Sequence, residues 1–182
     1  HNSGKGRALC VGTALATGDY VAFCDADLDL HPRQLEDFLR RMDAQAADAV
    51  IGSKLHPESK VDYPFHRRVY SFCYYLMLRL LFRLDTRDTQ TGLKLFRAEA
   101  VKPVMRCILV KRYAFDIEVL SLIRRNGGKI VSAPIELRFQ RFSSRIRFRD
   151  VWDMFWDTLR VFYRLRILHY YQRHPENPEI LA

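Results

Sequence analysis

At 182 residues the chain suits one domain of ordinary size, long enough to bury a core. Its composition is 48% hydrophobic and 28% charged, too apolar for a disordered chain and too charged for a membrane-spanning bundle. Lys and Arg number 30 against 21 Asp and Glu, and the net charge of +9 points to a polyanionic partner: nucleic acid, an anionic membrane or a phosphorylated substrate.

Residues 4–17 carry Ala8, Leu9, Val11 and Leu15 at helical spacing, and Gly18-Asp19 ends that helix in a turn. Tyr20 to Cys24 is a short apolar run that predicts a buried strand, and it stops abruptly in Asp25-Ala26-Asp27-Leu28-Asp29. His31-Pro32 opens a second helix with Leu35, Phe38, Leu39 and Met42 on one face. Ala49 to Gly52 is the next strand, followed by a polar loop. A long helix from about Phe65 to Leu84 bears one polar stripe of Arg67, Ser71, Tyr75, Arg79 and Arg83. Asp85 to Gly92 reads as a loop, Leu93 to Phe96 as a strand and Ala98 to about Cys107 as a helix. Phe115 to Arg125 is helical and closed by Asn126-Gly127-Gly128, and Lys129 to Phe139 is extended. A terminal helix over roughly Phe148 to Tyr171 precedes a polar tail.

Alternating strands and helices predict the α/β class, a mostly parallel sheet flanked by helices. Residues 1–140 form the body in this reading, and residues 141–182 a basic amphipathic appendage. Cys10, Cys24, Cys73 and Cys107 lie far apart, which fits a reduced cytosolic protein better than a zinc site or a disulfide scaffold. The longest uncharged apolar stretch, Val69 to Leu78, is about half the roughly 20 residues of a spanning helix. No signal peptide is visible, and an opening at His1 on a charged, glycine-containing motif suggests a segment of a longer protein.

Chemistry concentrates in a few places. Asp25 and Asp27 follow a buried strand, and residues i and i+2 of an extended segment point the same way, towards the ligand crevice of an open α/β sheet. Such hard oxygen donors suit Mg²⁺ or Mn²⁺, which would also hold a diphosphate, and Asp29 could add a third ligand. Gly4-Lys5-Gly6 at a helix start offers backbone N–H groups and an ammonium to a phosphate, without the spacing of a P-loop. In Asp88-Thr89-Gln90-Thr91-Gly92 the glycine permits close backbone approach, and the hydroxyls and amide are suited to sugar hydroxyls, or equally to a well-bonded turn. Asp116 and Glu118 sit in the first turn of a helix, where acids complement the helix dipole whether or not they have a further role.

Taken in order, NSGKGRAL, GDYVAFCDADLDLHP, DAVIGSK, RDTQTGLKLFR, KRYAFDIEVL and the R-x-x-S-R of Arg141 to Arg145 resemble the family 2 glycosyltransferases. Within them the series is most similar to the dolichol-phosphate mannose synthase and dolichyl-phosphate β-glucosyltransferase branch, with its bacterial polyprenyl-phosphate relatives. The resemblance implies a glycosyltransferase-A type, Rossmann-like fold. It also implies inverting transfer of a hexose from UDP-glucose or GDP-mannose to a polyprenyl or dolichyl phosphate. By the same resemblance Asp25, Asp27 and Asp29 hold the metal, and Asp88, Gln90, Thr91 and Gly92 line the donor-sugar side. Lys5, Gly6 and Arg141 approach the donor phosphates, and Lys54, Arg67 and Ser71 bind the lipid phosphate. The family's first strand and its base-holding segment lie upstream of these motifs, so residues preceding His1 are expected to hold the base.

A phosphate monoester is largely dianionic near neutral pH, its second pKa being about 6, so the acceptor needs positioning and charge neutralisation rather than a general base. Over residues 141–174 eight Arg face three Asp among Trp152, Trp156, Tyr163, Tyr170 and Tyr171. Val151, Phe155, Leu159 and Phe162 predict the apolar stripe of a helix lying on an anionic membrane at its cytoplasmic face. Two rival classes are a nucleic-acid binder, which gives the DADLD cluster no role, and a sugar-phosphate nucleotidyltransferase. The expected partners are the nucleotide sugar, the lipid phosphate and the membrane, with no nucleic acid.

Overall fold

The computed structural model describes residues 4–60, 65–84, 86, 88–110, 114–137 and 148–174, with the side chains of 65–71 and 148–151 left aside. Helix α1 (Lys5–Leu15) leads into β1 (Tyr20–Phe23). A 3-10 turn (Pro32–Gln34) then opens α2 (Leu35–Ala44), with His31 Nδ1 accepting from the Arg33 N–H at 3.1 Å. Next come β2 (Ala49–Ser53), α3 (Phe65–Phe82), β3 (Lys94–Arg97), α4 (Ala98–Met105), α5 (Phe115–Arg125) and β4 (Ile130–Pro134). The chain closes with α6 (Phe148–Phe162), a π-helical turn (Tyr163–Ile167) and the short α7 (Tyr170–Arg173).

The strands form one sheet in the order β1-β3-β2-β4. Strands β1, β2 and β4 share a direction, while β3 runs against β1 and β2, so only the β2–β4 ladder is parallel. The α/β expectation therefore stands for strand direction, although β3 makes most of the pairing antiparallel. Side chains alternate across the sheet as strand geometry demands. Ala49, Ile51 and Phe96 enter a larger core with α1, α3, α4, α5 and the C-terminal helices, whereas Val50 and Leu95 meet Phe38 and Met42 of α2 on the other face.

The terminal helix departs from its predicted course. The Leu168 N–H bonds Tyr163 O at 3.0 Å, an i→i+5 bond that widens the helix, and His169 turns left-handed at φ 48°. The buried line runs through Thr158, Val161 and Leu165, while Phe155, Leu159 and Phe162 are only half-buried, so the predicted stripe is rotated. The break carries Tyr171 into the core, where its hydroxyl donates to Glu118 Oε1. Glu118 also accepts from the backbone N–H groups of Leu109 and Val110, at 3.2 and 2.8 Å. One carboxylate thus ties the loop after α4 and the C-terminal segment to α5. Among the described residues no helix is long and apolar enough to cross a membrane, and all four cysteines are free.

Burial pushes the pKa of Glu118 above its ordinary value of 4.5, although Tyr171, the two N–H groups and Arg164 pull it back. A raised carboxyl pKa favours folding below the unfolded value, and that advantage fades as pH rises through the folded value. Tyr171→Phe removes a donor to the carboxylate and widens this window. The variant should lose about 1–3 kcal/mol in urea unfolding at pH 7 and less at pH 4.

Candidate active site

Strand β1 ends just before the acidic cluster, which is a turn rather than an extended segment. The Leu28 N–H bonds Asp25 O at 3.3 Å, and Leu28 is held at φ 58°, a left-handed conformation uncommon for a branched side chain. The extended-chain reason for Asp25 and Asp27 to face one way is therefore replaced by turn geometry. Asp27 Oδ1 accepts from the Asp29 N–H at 3.2 Å, which stiffens the turn.

Lys5, the first residue of α1, places Nζ 2.6 Å from Asp25 Oδ1. Its partial burial works to lower the ammonium pKa, yet the Asp25 hydrogen bond and the charges of Asp25, Asp116 and Asp27 outweigh that and raise it. Three carboxylates from two parts of the chain thus act on one lysine.

On the other side of Asp25 lies Gly92. A Cβ there would collide with Asp25 Oδ2 and Cγ, so the carboxylate occupies space that any other residue would fill. The β1–β3 register pairs Phe23 with Lys94, which brings the end of the 88–92 loop against the acidic turn. Lys94 is only 2% exposed. Its Nζ donates to Thr91 O at 2.5 Å and pairs with Asp116 Oδ1 at 2.8 Å.

The rest of the 88–92 loop is held from within. Asp88 Oδ2 accepts from the Lys54 N–H at 3.1 Å and Oδ1 from the Gln90 N–H at 3.3 Å, joining this loop to the one after β2. Gln90 is exposed, and its amide donates to Met154 Sδ of α6 at 2.9 Å. Thr89 and Thr91 turn inward, and their hydroxyls find no hydrogen-bond partner among the described residues. The Thr91 methyl lies 3.0 Å from where a Gly52 Cβ would stand, so this side chain packs under β2 rather than facing solvent. Thr91 is buried as a whole, so its methyl packs beneath β2 and its carbonyl meets the buried Lys94, away from solvent.

Among the predicted residues, Lys5, Asp25, Asp27 and Gly92 are brought together, while Asp88 and Gln90 share the adjoining loop. Gly6 is buried in α1 and Lys54 lies beside Asp88. Arg67 and Ser71 belong to α3, but their side chains and the whole of Arg141 lie outside the described residues. No group of three or more His, Cys, Asp or Glu gathers at metal-chelating range among the described residues, and Asp29 meets Asp27 through its backbone N–H. Asp25, which already accommodates an ammonium, and Asp27, whose charge reaches the same ammonium, nevertheless fit a Mg²⁺- or Mn²⁺-type ion, which typically takes one or two carboxylates and completes its shell with phosphates and water. Lys94 is the site residue that sequence reasoning did not select, and its partner Asp116 was read as a first-turn acid with or without a further role. The available signal was a lysine inside the apolar run Leu93 to Phe96.

Residues 1–105 match the family described as Glycosyl transferase family 2. The chain belongs to that family. Glycosyltransferase AglD of Haloferax volcanii is 30% identical over 90% of this chain and 26% of its own length. Dolichyl-phosphate beta-glucosyltransferase ALG5D of Trichomonas vaginalis is 31% identical, over 92% of this chain and 53% of its own. The chain therefore spans about half or less of these relatives. Among solved structures, glucosyl-3-phosphoglycerate synthase of Mycobacterium tuberculosis in complex with UDP superimposes with a TM-score of 0.60 at 18% identity, covering 88% of this chain and 54% of that one. Mannosyl-3-phosphoglycerate synthase of Rubrobacter xylanophilus gives 0.59 at 19%, covering 92% and 52%. These likenesses establish the glycosyltransferase-A type α/β fold.

Because the atoms that meet a Gly92 Cβ belong to the rotatable Asp25 carboxylate, Gly92→Ala should fold, losing about 1–3 kcal/mol in urea unfolding. In an Asp25→Ala background the same substitution should cost less than about 0.5 kcal/mol, because the colliding group is gone.

Proposed function

We propose that this glycosyltransferase domain transfers a hexose, with inversion, from UDP-glucose or GDP-mannose to a polyprenyl or dolichyl phosphate at the cytoplasmic face of a membrane. The observation that carries the reading is the packing of Asp25 between Lys5 and Gly92 beside the 88–92 loop, in a chain whose relatives include dolichyl-phosphate glucosyltransferases. Asp25 and Asp27 would hold Mg²⁺ or Mn²⁺ for the donor diphosphate, and Lys5 would add a cation beside Asp25. The ion would stabilise the charge that builds on the departing nucleoside diphosphate. Asp88 and Gln90 keep the loop against the donor sugar. The acceptor phosphate arrives already ionised and is steadied by Lys54, Arg67 and Ser71, so no side chain has to take a proton.

The membrane face is formed by α6 and its continuation. Trp152, Trp156, Tyr163 and Ile167 are exposed alongside Arg160 and Arg166, the mixture that lies well at an anionic lipid interface. Helix α3 adds Phe72, Leu76 and Leu80, the last 83% exposed. Large apolar side chains beside arginines favour lipid over nucleic acid as the polyanion.

The test uses the whole protein that carries this sequence, incubated with each nucleotide sugar, Mg²⁺ or Mn²⁺ and polyprenyl phosphate. Lipid-linked hexose should form with one donor, and Asp25→Ala/Asp27→Ala should lower the rate at least about 100-fold. Absence of product with every donor, or full activity in the double variant, overturns the reading. In sedimentation with vesicles, anionic lipid should bind the protein better than neutral lipid. Arg160→Gln/Arg166→Gln should weaken that binding about tenfold or more, at roughly 1 kcal/mol per basic side chain.

A further inference from the structure

We propose that Lys94 is a positioning residue that sets the direction of the Asp25 carboxylate through the Thr91–Gly92 backbone. The inference rests on the reading of Asp25 as a metal-holding residue and concerns a side chain that touches neither donor nor acceptor in that reading.

Lys94 sits on β3 directly across from Phe23, two residues before Asp25. Its ammonium lies inside the protein and has two acceptors of different kinds. One is Asp116, a counter-charge delivered by the first turn of α5. The other is the carbonyl of Thr91. The residue after that carbonyl is Gly92, whose bare Cα is what Asp25 packs against. A displacement of Thr91 O therefore moves the wall behind Asp25.

A closed circuit results. Asp25 bonds Lys5, Lys5 feels the charge of Asp116, Asp116 pairs with Lys94, and Lys94 holds the loop that abuts Asp25. A buried ammonium needs a counter-ion, which Asp116 supplies among the described residues, so the bond to a neutral carbonyl is an additional constraint on the loop. Groups hydrogen-bonded to a metal ligand set its orientation, and their loss commonly weakens metal binding about 10- to 100-fold; Lys94 acts one contact further out, so the lower end of that range is the expected effect.

The two functions of Lys94 separate experimentally. Asp116→Asn removes the counter-charge and keeps the bond to Thr91 O, whereas Lys94→Met/Asp116→Asn removes both and leaves no unpaired buried charge. Mn²⁺ binding in the presence of a nucleoside diphosphate is followed by electron paramagnetic resonance of the free ion, independently of turnover. If Lys94 acts through the loop, the double variant binds Mn²⁺ about tenfold or more weakly than Asp116→Asn alone. Binding within about twofold of the single variant reduces Lys94 to a counter-ion and overturns the proposal. Wild-type protein that binds no Mn²⁺ with either UDP or GDP overturns the metal-holding reading together with this one, so the two failures are distinguishable. Lys94→Arg gives the same comparison in a protein that keeps its charge pair. Its longer planar head should weaken Mn²⁺ binding several-fold, and unchanged binding counts against the proposal.

Discussion

The pairing of β1 with β3 is the constraint from which the site follows. With Phe23 opposite Lys94, the chain leaving β1 and the chain entering β3 are forced to the same end of the sheet. Asp25 and Gly92 are each two residues beyond that pair, one after Phe23 and one before Lys94. They must meet, and they do so closely enough that a Cβ on residue 92 would displace the Asp25 carboxylate. A one-residue slip would turn Lys94 to the opposite face of the sheet and separate Gly92 from the acidic turn. The antiparallel β3 is thus the element that lets residues 67 positions apart share one site, something a purely parallel sheet would achieve only through a crossover.

Helix α5 contributes two acids with different destinies. Asp116 faces the buried ammonium of Lys94 and the field around Lys5, while Glu118, two residues later, faces the loop after α4 and Tyr171. Both also sit in a first turn, where negative charge complements the helix dipole, so the structural and the site-directed readings are compatible. Their separation around the helix connects the acidic turn to the C-terminal segment through a single rigid element.

Much of the fold was legible in the sequence because periodicity reports burial. The strand and helix positions followed from apolar runs bounded by Gly, Asp and Pro, and Phe115–Arg125 is helical as expected. The direction of β3 was not legible, since a four-residue apolar run carries no sign of which neighbour it will oppose. The break at His169 was equally hidden, because a left-handed residue there is required by Tyr171 reaching Glu118, a contact made 53 residues away. At the site, the acidic turn and the glycine were visible as motifs. The buried role of Lys94 was masked by its type: a lysine is exposed by default, and only the counter-charge of Asp116, distant in sequence, makes its burial tolerable. Thr91 shows the converse. Its hydroxyl suggested a ligand, whereas its methyl is what packs against β2.

The cations behind the net charge of +9 have different settings in the fold. Lys5 and Lys94 are both engaged with carboxylates at the site, whereas Arg160, paired with Asp157 on its own helix at 3.0 Å, and Arg166 are exposed on the C-terminal helices among aromatic side chains. Helix α6 has contacts in both directions: Met154 meets Gln90 of the 88–92 loop, Thr158 meets Tyr74 of α3 at 3.0 Å, and Trp152 and Trp156 face outward. A helix that rests on lipid through its tryptophans would therefore also bear on the loop beside Asp25. In the proposed reaction this matters because the acceptor is itself a membrane component, and its phosphate lies at the lipid surface. Seating α6 there would then act on the 88–92 loop through the Met154–Gln90 contact, so that membrane binding would contribute to orientation at the reacting centre as well as to residence on the bilayer.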